Sequence, residues 1–343
     1  MSSALSHAAG QAWPPFVLVI GLLLIGAVVH SDGLFEAIGV RISRVGGGPI
    51  ALLTGLLILE AIVVAVLNLD TAAVFVTPIL LHAARERDWD ERPFLYGSLF
   101  MANCASLLLP GSNLTNLIVL AHEPLTGADV AKAMVFPWIV AVTVTIVFVA
   151  VAFRPRDGHR SNEALPPLHV GLGAAATGAA TGFMLALHNP AVPVLAVGVL
   201  AVAVRRLRPR LGVPVLAALF LFAVVLGTVA RRWNGPASLV AHASGIGEAV
   251  IGAASSVLLN NLPAASLLSA QRPPHPLPLL IGLNLGPNLA FTGSLSAYLW
   301  YQAARTAGAR PSLRLSSLLG VALVPLTIAG ALAALALVKP SAF

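Results

Sequence analysis

Five stretches of this sequence, residues 14–30, 133–153, 168–187, 213–230 and 316–338, are dominated by apolar side chains. Each is long enough to cross the hydrocarbon core of a bilayer. No water is present there to satisfy backbone N–H and C=O groups, so such runs fold as helices. A shorter apolar run lies at 190–204. Only 10% of the residues are charged and 58% are hydrophobic, against about 25% charged in an ordinary soluble domain. These values exclude a water-soluble globular chain and a disordered one. The fold class expected is an all-α polytopic membrane protein in the cell membrane.

The net charge of +7 does not point to nucleic acid. Its arginines lie in short gaps between apolar runs, as loop charge does in membrane proteins, rather than on one basic face. No Lys or Arg precedes the first run and no small-residue cleavage pattern follows it, so it reads as a retained span. Cys104 is the one cysteine, which excludes a disulfide framework and a multi-thiolate metal site. No nucleophile–base pair or facing aspartate pair suggests an enzyme, and no cofactor or metal is implied. Residues 33–45 form a short amphipathic stretch suited to the membrane interface. The charged run Arg85–Arg92 reads as a solvated loop.

Between 49 and 122, and again between 246 and 303, the apolar pattern is broken by Gly, Pro and polar residues. Each region reads as a re-entrant hairpin followed by a broken helix. The first hairpin tip is Val66-Leu67-Asn68-Leu69-Asp70-Thr71-Ala72-Ala73. The second is Leu258-Leu259-Asn260-Asn261-Leu262-Pro263-Ala264-Ala265. Asn103 then precedes Gly111-Ser112-Asn113-Leu114-Thr115-Asn116, as Asn284 precedes Gly286-Pro287-Asn288 and Thr292-Gly293-Ser294. A re-entrant hairpin returns to the side it left. With the residues after the first span placed in the cytoplasm, 15 of the 20 Lys and Arg fall on that side, as the positive-inside rule requires. The same count makes the two hairpins enter from opposite sides, so the repeats are inverted.

The expected organisation is a first repeat over 1–153, with its hairpin at 49–84, a broken helix at 94–122 and a span at 133–153. A cytoplasmic linker follows at 154–167. The second repeat covers 168–343, with a hairpin at 246–270, a broken helix at 277–303 and a last span at 316–338. Inverted repeats with broken helices are a recurring plan of secondary transporters, whose sites lie where the breaks meet. Asn carries donors and an acceptor that must be satisfied, so Asn-rich breaks at mid-depth must face a cavity or each other. The candidate substrate or ion ligands are Asn68, Asp70, Thr71, Asn103, Ser112, Asn113, Thr115, Asn116, Asn260, Asn261, Asn284, Asn288, Thr292 and Ser294.

Three acids fall in apolar segments: Glu60, Asp70 and Glu248. Intramembrane acids are site candidates by default. Asp70, at a hairpin tip, is the candidate proton or cation carrier, with a helix-capping role as the alternative. Glu60 is mid-helix and is expected to pair with a distant Arg if it is structural. Glu248 sits where a helix start favours a carboxylate.

Asp70 through Thr77-Pro78, Ser112-Asn113-Leu114-Thr115-Asn116, Asn260-Asn261-Leu262-Pro263 and Leu285-Gly286-Pro287…Gly293-Ser294-Leu295 resemble the arsenite efflux permeases of the ion transporter superfamily. That resemblance implies export of arsenite or antimonite by exchange with protons, in some members with help from a separate arsenite-stimulated ATPase. Sodium/proton antiporters and sodium-coupled dicarboxylate or citrate carriers of the same superfamily are the alternative. In the family that this chain resembles, the positions of Asn103 and Asn284 usually carry Asp, and that of Asn288 often Lys. By the same likeness the chain looks short at its N-terminus by about two spans.

Overall fold

A computed structural model describes residues 2–44, 48–121, 123–154, 170–209, 212–233 and 235–339. Of the expected cytoplasmic features, the linker beyond Arg154, with Arg156 and Arg160, and Arg210 lie outside these residues. Every described regular element is helical. Four helical stretches, Ala4–Ser31, Pro49–Val66, Gly127–Phe153 and Leu313–Val338, are long and apolar enough to cross a membrane.

The first half opens with α1 (Ser2–Ser31), which turns at Gly33 into the amphipathic α2 (Leu34–Arg44). Gly33 has φ +69°, a left-handed conformation that glycine adopts without steric cost. Helices α3 (Pro49–Val66) and α4 (Leu69–Arg85) form the first hairpin. Pro49 starts α3 where its missing N–H costs nothing. The chain then runs through α5 (Arg92–Cys104), two 3-10 turns at Ala105–Leu107 and Pro110–Ser112, and the seven-residue α6 (Leu114–Leu120). Pro110 is the local cause of this break, because it drives Leu109 into an extended conformation. A long helix, α7 (Gly127–Phe153), closes the half.

A helical pair follows, α8 (Leu172–Ala186) and α9 (Ala191–Arg205), and packs along α1. The second half repeats the first plan: α10 (Val213–Arg232), the short α11 (Gly235–Ala241), and a hairpin of α12 (Gly245–Leu259) and α13 (Asn261–Leu268). The second broken helix is α14 (Pro276–Leu285), 3-10 turns at Gly286–Leu289 and Phe291–Gly293, and α15 (Leu295–Thr306). The last helix is α16 (Leu313–Val338).

The packing is reciprocal. In each half the first hairpin arm lies on the first part of the broken helix (α3 on α5, α12 on α14), which lies on the long closing helix (α5 on α7, α14 on α16). The halves interlock by exchange. The second hairpin arm of each packs on the distal part of the other half's broken helix, α4 on α15 and α13 on α6, while α7 packs on α16. Small residues permit these close approaches, as they do generally between membrane helices. A Cβ at Gly282 would lie 1.9 Å from the Ala249 carbonyl oxygen, and one at Gly320 would lie 1.9 Å from that of Asn288. The two halves are therefore inverted repeats, each with a hairpin and a broken helix, brought together at their breaks.

Candidate functional site

Both broken helices stop on an asparagine. Asn103 and Asn284 are the penultimate residues of α5 and α14, and both are buried. Asn103 Nδ2 donates to Asn288 Oδ1 at 2.8 Å. Asn288 Nδ2 donates in turn to the Phe100 carbonyl at 3.2 Å and reaches Cys104 Sγ at 3.3 Å. Asn284 Oδ1 accepts from Asn113 Nδ2 at 2.6 Å and lies 2.7 Å from Ser106 Oγ. Its Nδ2 donates to Asn116 Oδ1 at 2.7 Å and to the Leu280 carbonyl at 2.9 Å. Asn116 Nδ2 closes the set on the Ser106 and Leu109 carbonyls. These amides bond one another and the carbonyls freed by the 3-10 turns, and of their side-chain atoms Asn103 Oδ1 alone is buried without a partner among the described residues. A buried polar network is stabilised to the extent that its members are satisfied.

The hairpin tips and distal helices begin at the same place. Asn68 Oδ1 caps α4 by accepting from the Thr71 N–H at 2.6 Å, and Asn113 Oδ1 caps α6 through the Thr115 N–H at 3.0 Å. Asn260 Oδ1 caps α13 through the Leu262 N–H at 3.3 Å, and Ser294 Oγ caps α15 through the Ala297 N–H at 3.4 Å. Asn and Ser are favoured at such positions because their oxygens satisfy an orphan N–H. Asn260 has φ +81°, a region open to asparagine at a cost. Its Nδ2 donates to the Thr292 carbonyl at 3.0 Å, tying the second tip to the second break. Ser112 Oγ, 3.2 Å from the Ala65 carbonyl, does the same for the first.

The starts of these four helices surround a cavity of about 250 Å³. Of the candidate residues, Asp70, Asn113, Asn260, Asn261, Thr292 and Ser294 line it. Asp70 is half-buried in the first turn of α4, where the helix dipole favours a carboxylate. No Lys or Arg is among the described residues that line the cavity. The other candidates lie behind it. Asn103, Asn116, Asn284 and Asn288 are engaged in the network, and Asn68 and Ser112 hold the first tip. Thr71 is turned toward α1, its Cγ2 2.6 Å from where a Cβ on Gly26 would lie. Thr115 is buried with its hydroxyl unpartnered.

Sequence reasoning missed Ser106, which sits one turn beyond Asn103. Its hydroxyl joins the two halves, and the i, i+3 spacing from Asn103 was its only signal. Ser296, whose Oγ lies 2.7 Å from that of Ser294, and Leu219, Phe291 and Tyr298 also line the cavity. Leu219 comes from α10, and no local pattern marks it. Glu248 is fully buried in the first turn of α12 and its Oε1 accepts from the His275 N–H at 2.8 Å, away from the cavity.

Inverted hairpins and broken helices whose starts meet around a shared cavity define a polytopic helical membrane protein of the transporter class. The chain belongs to the citrate transporter family: its family model, CitMHS, matches residues 2–281. An uncharacterized transporter of Mycobacterium tuberculosis is 24% identical over 143 residues, 41% of this chain and 33% of that protein. The arsenical pump membrane protein of Escherichia coli is 30% identical over 146 residues, 41% of this chain and 34% of that protein. Each match covers about a third of the curated relative's length. In fold, the chain is similar to the YdaH transporter of Alcanivorax borkumensis, described as having an unusual topology. The TM-score is 0.55 at 11% identity, over 98% of this chain and 87% of that one.

Proposed function

We propose that this protein is a secondary transporter that exports arsenite or antimonite across the cell membrane in exchange for protons, with Asp70 as the cation carrier. The repeats would be α1–α7 and α10–α16, with the α8–α9 pair between them, a narrower second unit than 168–343. The observation that carries the reading is the central cavity. It offers amide and hydroxyl groups of both polarities, one carboxylate, and no cationic side chain among its described lining. Arsenite near neutral pH is mostly an uncharged trihydroxide, which such a surface can hydrogen-bond as it would a polyol. A di- or tricarboxylate would add two or three negative charges beside Asp70. Each ion removed from water costs several kcal/mol unless it is paired. The E. coli arsenical pump match supports the same solute. The likeness that suggested it also implies, for some members, a separate ATPase partner.

One observation favours a second reading, a sodium-coupled carboxylate carrier. Four helix N-termini converge on the cavity, each equivalent to roughly half a positive charge, and the family description is citrate transporter. Uptake into inverted vesicles distinguishes the two. Arsenite and antimonite uptake driven by an imposed pH gradient is expected. Citrate uptake with no arsenite uptake, from membranes shown to contain the protein, rejects the first reading.

A further inference from the structure

Glu60 lies in the middle of α3, is 0% exposed, and has no guanidinium or ammonium partner among the described residues. A structural Glu60 was expected to pair with a distant Arg; it does not. Its Oε1 instead accepts from Ser98 Oγ of α5 at 2.7 Å, and Ser98 Oγ lies 2.8 Å from Thr77 Oγ1 of α4. All three side chains are fully buried. The second carboxyl oxygen, Oε2, is buried with no hydrogen-bond partner among the described residues. An acid placed this way in a membrane is costly as an anion. It must take up one positive charge or find a donor, and Oε2 has found none.

The surrounding elements supply no alternative. The titratable or charged groups on the helices packed against α3 are Glu36, Arg41 and Arg44 of α2, Asp70, His82 and Arg85 of α4, Arg92, Tyr96 and Cys104 of α5, and Asp129 and Lys132 of α7. Glu36 is bonded to His30, Arg85 to Glu91, Arg92 to Asp90 and Asp129 to Thr126. None of the described side chains of this group bonds Glu60.

We propose that Glu60, positioned through Oε1 by the Ser98 hydroxyl and behind it that of Thr77, is a second cation site of this protein, taking one proton or one sodium ion at the open Oε2. The ligand chemistry is a monovalent cation held by a buried carboxylate. The site joins both arms of the first hairpin to the broken helix, so its occupancy reports on whether the hairpin carries a buried charge. A hairpin with the site empty carries that charge through an apolar barrier; a hairpin with it filled does not. This inference rests on the transporter reading for its role, but cation binding is measured without any solute.

The test is infrared difference spectroscopy on the full chain in membranes, with pH jumps and, separately, sodium jumps at constant pH. A carboxylic acid C=O band is expected in the wild type that disappears in Glu60→Gln and persists in Asp70→Asn. Loss of the band with alkali alone identifies the proton, and loss on adding sodium at fixed pH identifies sodium. Identical wild-type and Glu60→Gln spectra in both arms overturn the proposal. If Glu60→Gln does not reach the membrane, Ser98→Ala and Thr77→Val must shift the band, and an unshifted band also overturns it. In vesicles, gradient-driven accumulation by Glu60→Gln is expected to fall about tenfold or more, the loss of about 1.4 kcal/mol of driving force. A protein that moves none of the tested solutes would reject the function above and leave the infrared result standing on its own.

Discussion

Asn103 and Asn288, 185 residues apart in sequence, share a 2.8 Å hydrogen bond between the breaks of the two repeats. Asn113 and Asn284 make the companion bond, at 2.6 Å. These amides therefore bolt the halves together, and the cavity proposed to take the solute lies beside them, at the helix starts.

The two amides that end the broken helices should not be equivalent. Asn284→Leu, close in size, leaves Asn113 Nδ2 and Asn116 Oδ1 short of a partner, while Ser106 Oγ keeps the Asn103 carbonyl. The expected loss is roughly 2–4 kcal/mol, given about 1–3 for each stranded buried group and less when membrane partners can substitute. Asn103→Leu strands only Asn288 Oδ1, because Asn103 Oδ1 already has no partner. Thermal unfolding of the purified protein should rank Asn284→Leu well below Asn103→Leu. Equal losses would contradict the network as drawn.

Close packing behind the second break gives a contrast between two glycines. Gly320→Ala puts a methyl group 1.9 Å from the Asn288 carbonyl oxygen, whereas a Cβ at Gly178 meets nothing within 4 Å. Overpacking of this kind costs about 1–3 kcal/mol or more. Gly178→Ala should be neutral or stabilising, by up to about 1 kcal/mol. The measurement is the shift in melting temperature of each variant, and Gly320→Ala should also slow solute exchange by displacing Asn288.

The exposed start of α7, ahead of the apolar run 133–153, carries a pH-dependent contribution. Thr126 Oγ1 donates to Asp129 Oδ2 at 2.6 Å and the Thr126 N–H donates at 3.0 Å. These bonds, the side-chain one first, hold the Asp129 carboxyl below its ordinary range. A lowered folded-state value means that the stabilisation is present above the unfolded carboxyl's value, near about 3.9. It is lost as the pH falls through the folded one. Thr126→Val should therefore be less stable than wild type at about pH 6, with the gap closing toward about pH 3. A gap that widens with acid would show that the sign is wrong.

Asp70 is the one carboxylate among the cavity's described lining. The cap of its helix comes from Asn68, so Asp70→Asn should fold. Arsenite export should fall by about tenfold or more and lose its dependence on the pH gradient, since one pKa unit or one decade of rate each correspond to about 1.4 kcal/mol. Full, gradient-dependent export by this variant would remove Asp70 from the carrier role.

Much of this architecture was legible in the chain because its causes are local. Apolar runs of bilayer length must be helices when no water is present to satisfy the backbone. Pro110 after an extended Leu109 forces a break where it stands. Asn68, Asn113, Asn260 and Ser294 could be placed at the tips and breaks, but the sequence marked Asp70 rather than any of them as a cap; each bonds an N–H two or three residues onward, and the cap of α4 is Asn68. Even the matched order of the two interrupted regions could be read without coordinates. Which amide meets which could not. Asn284 joins Asn113 and Asn116, Asn103 joins Asn288, and Glu60 finds Ser98 rather than an arginine. These outcomes depend on how far helices approach and at what height they cross, which Gly282, Gly320 and their facing carbonyls set through contacts between segments far apart in sequence. Capping is a property of a few consecutive residues, whereas the cavity and the network are properties of distances that exist only after the two repeats have packed.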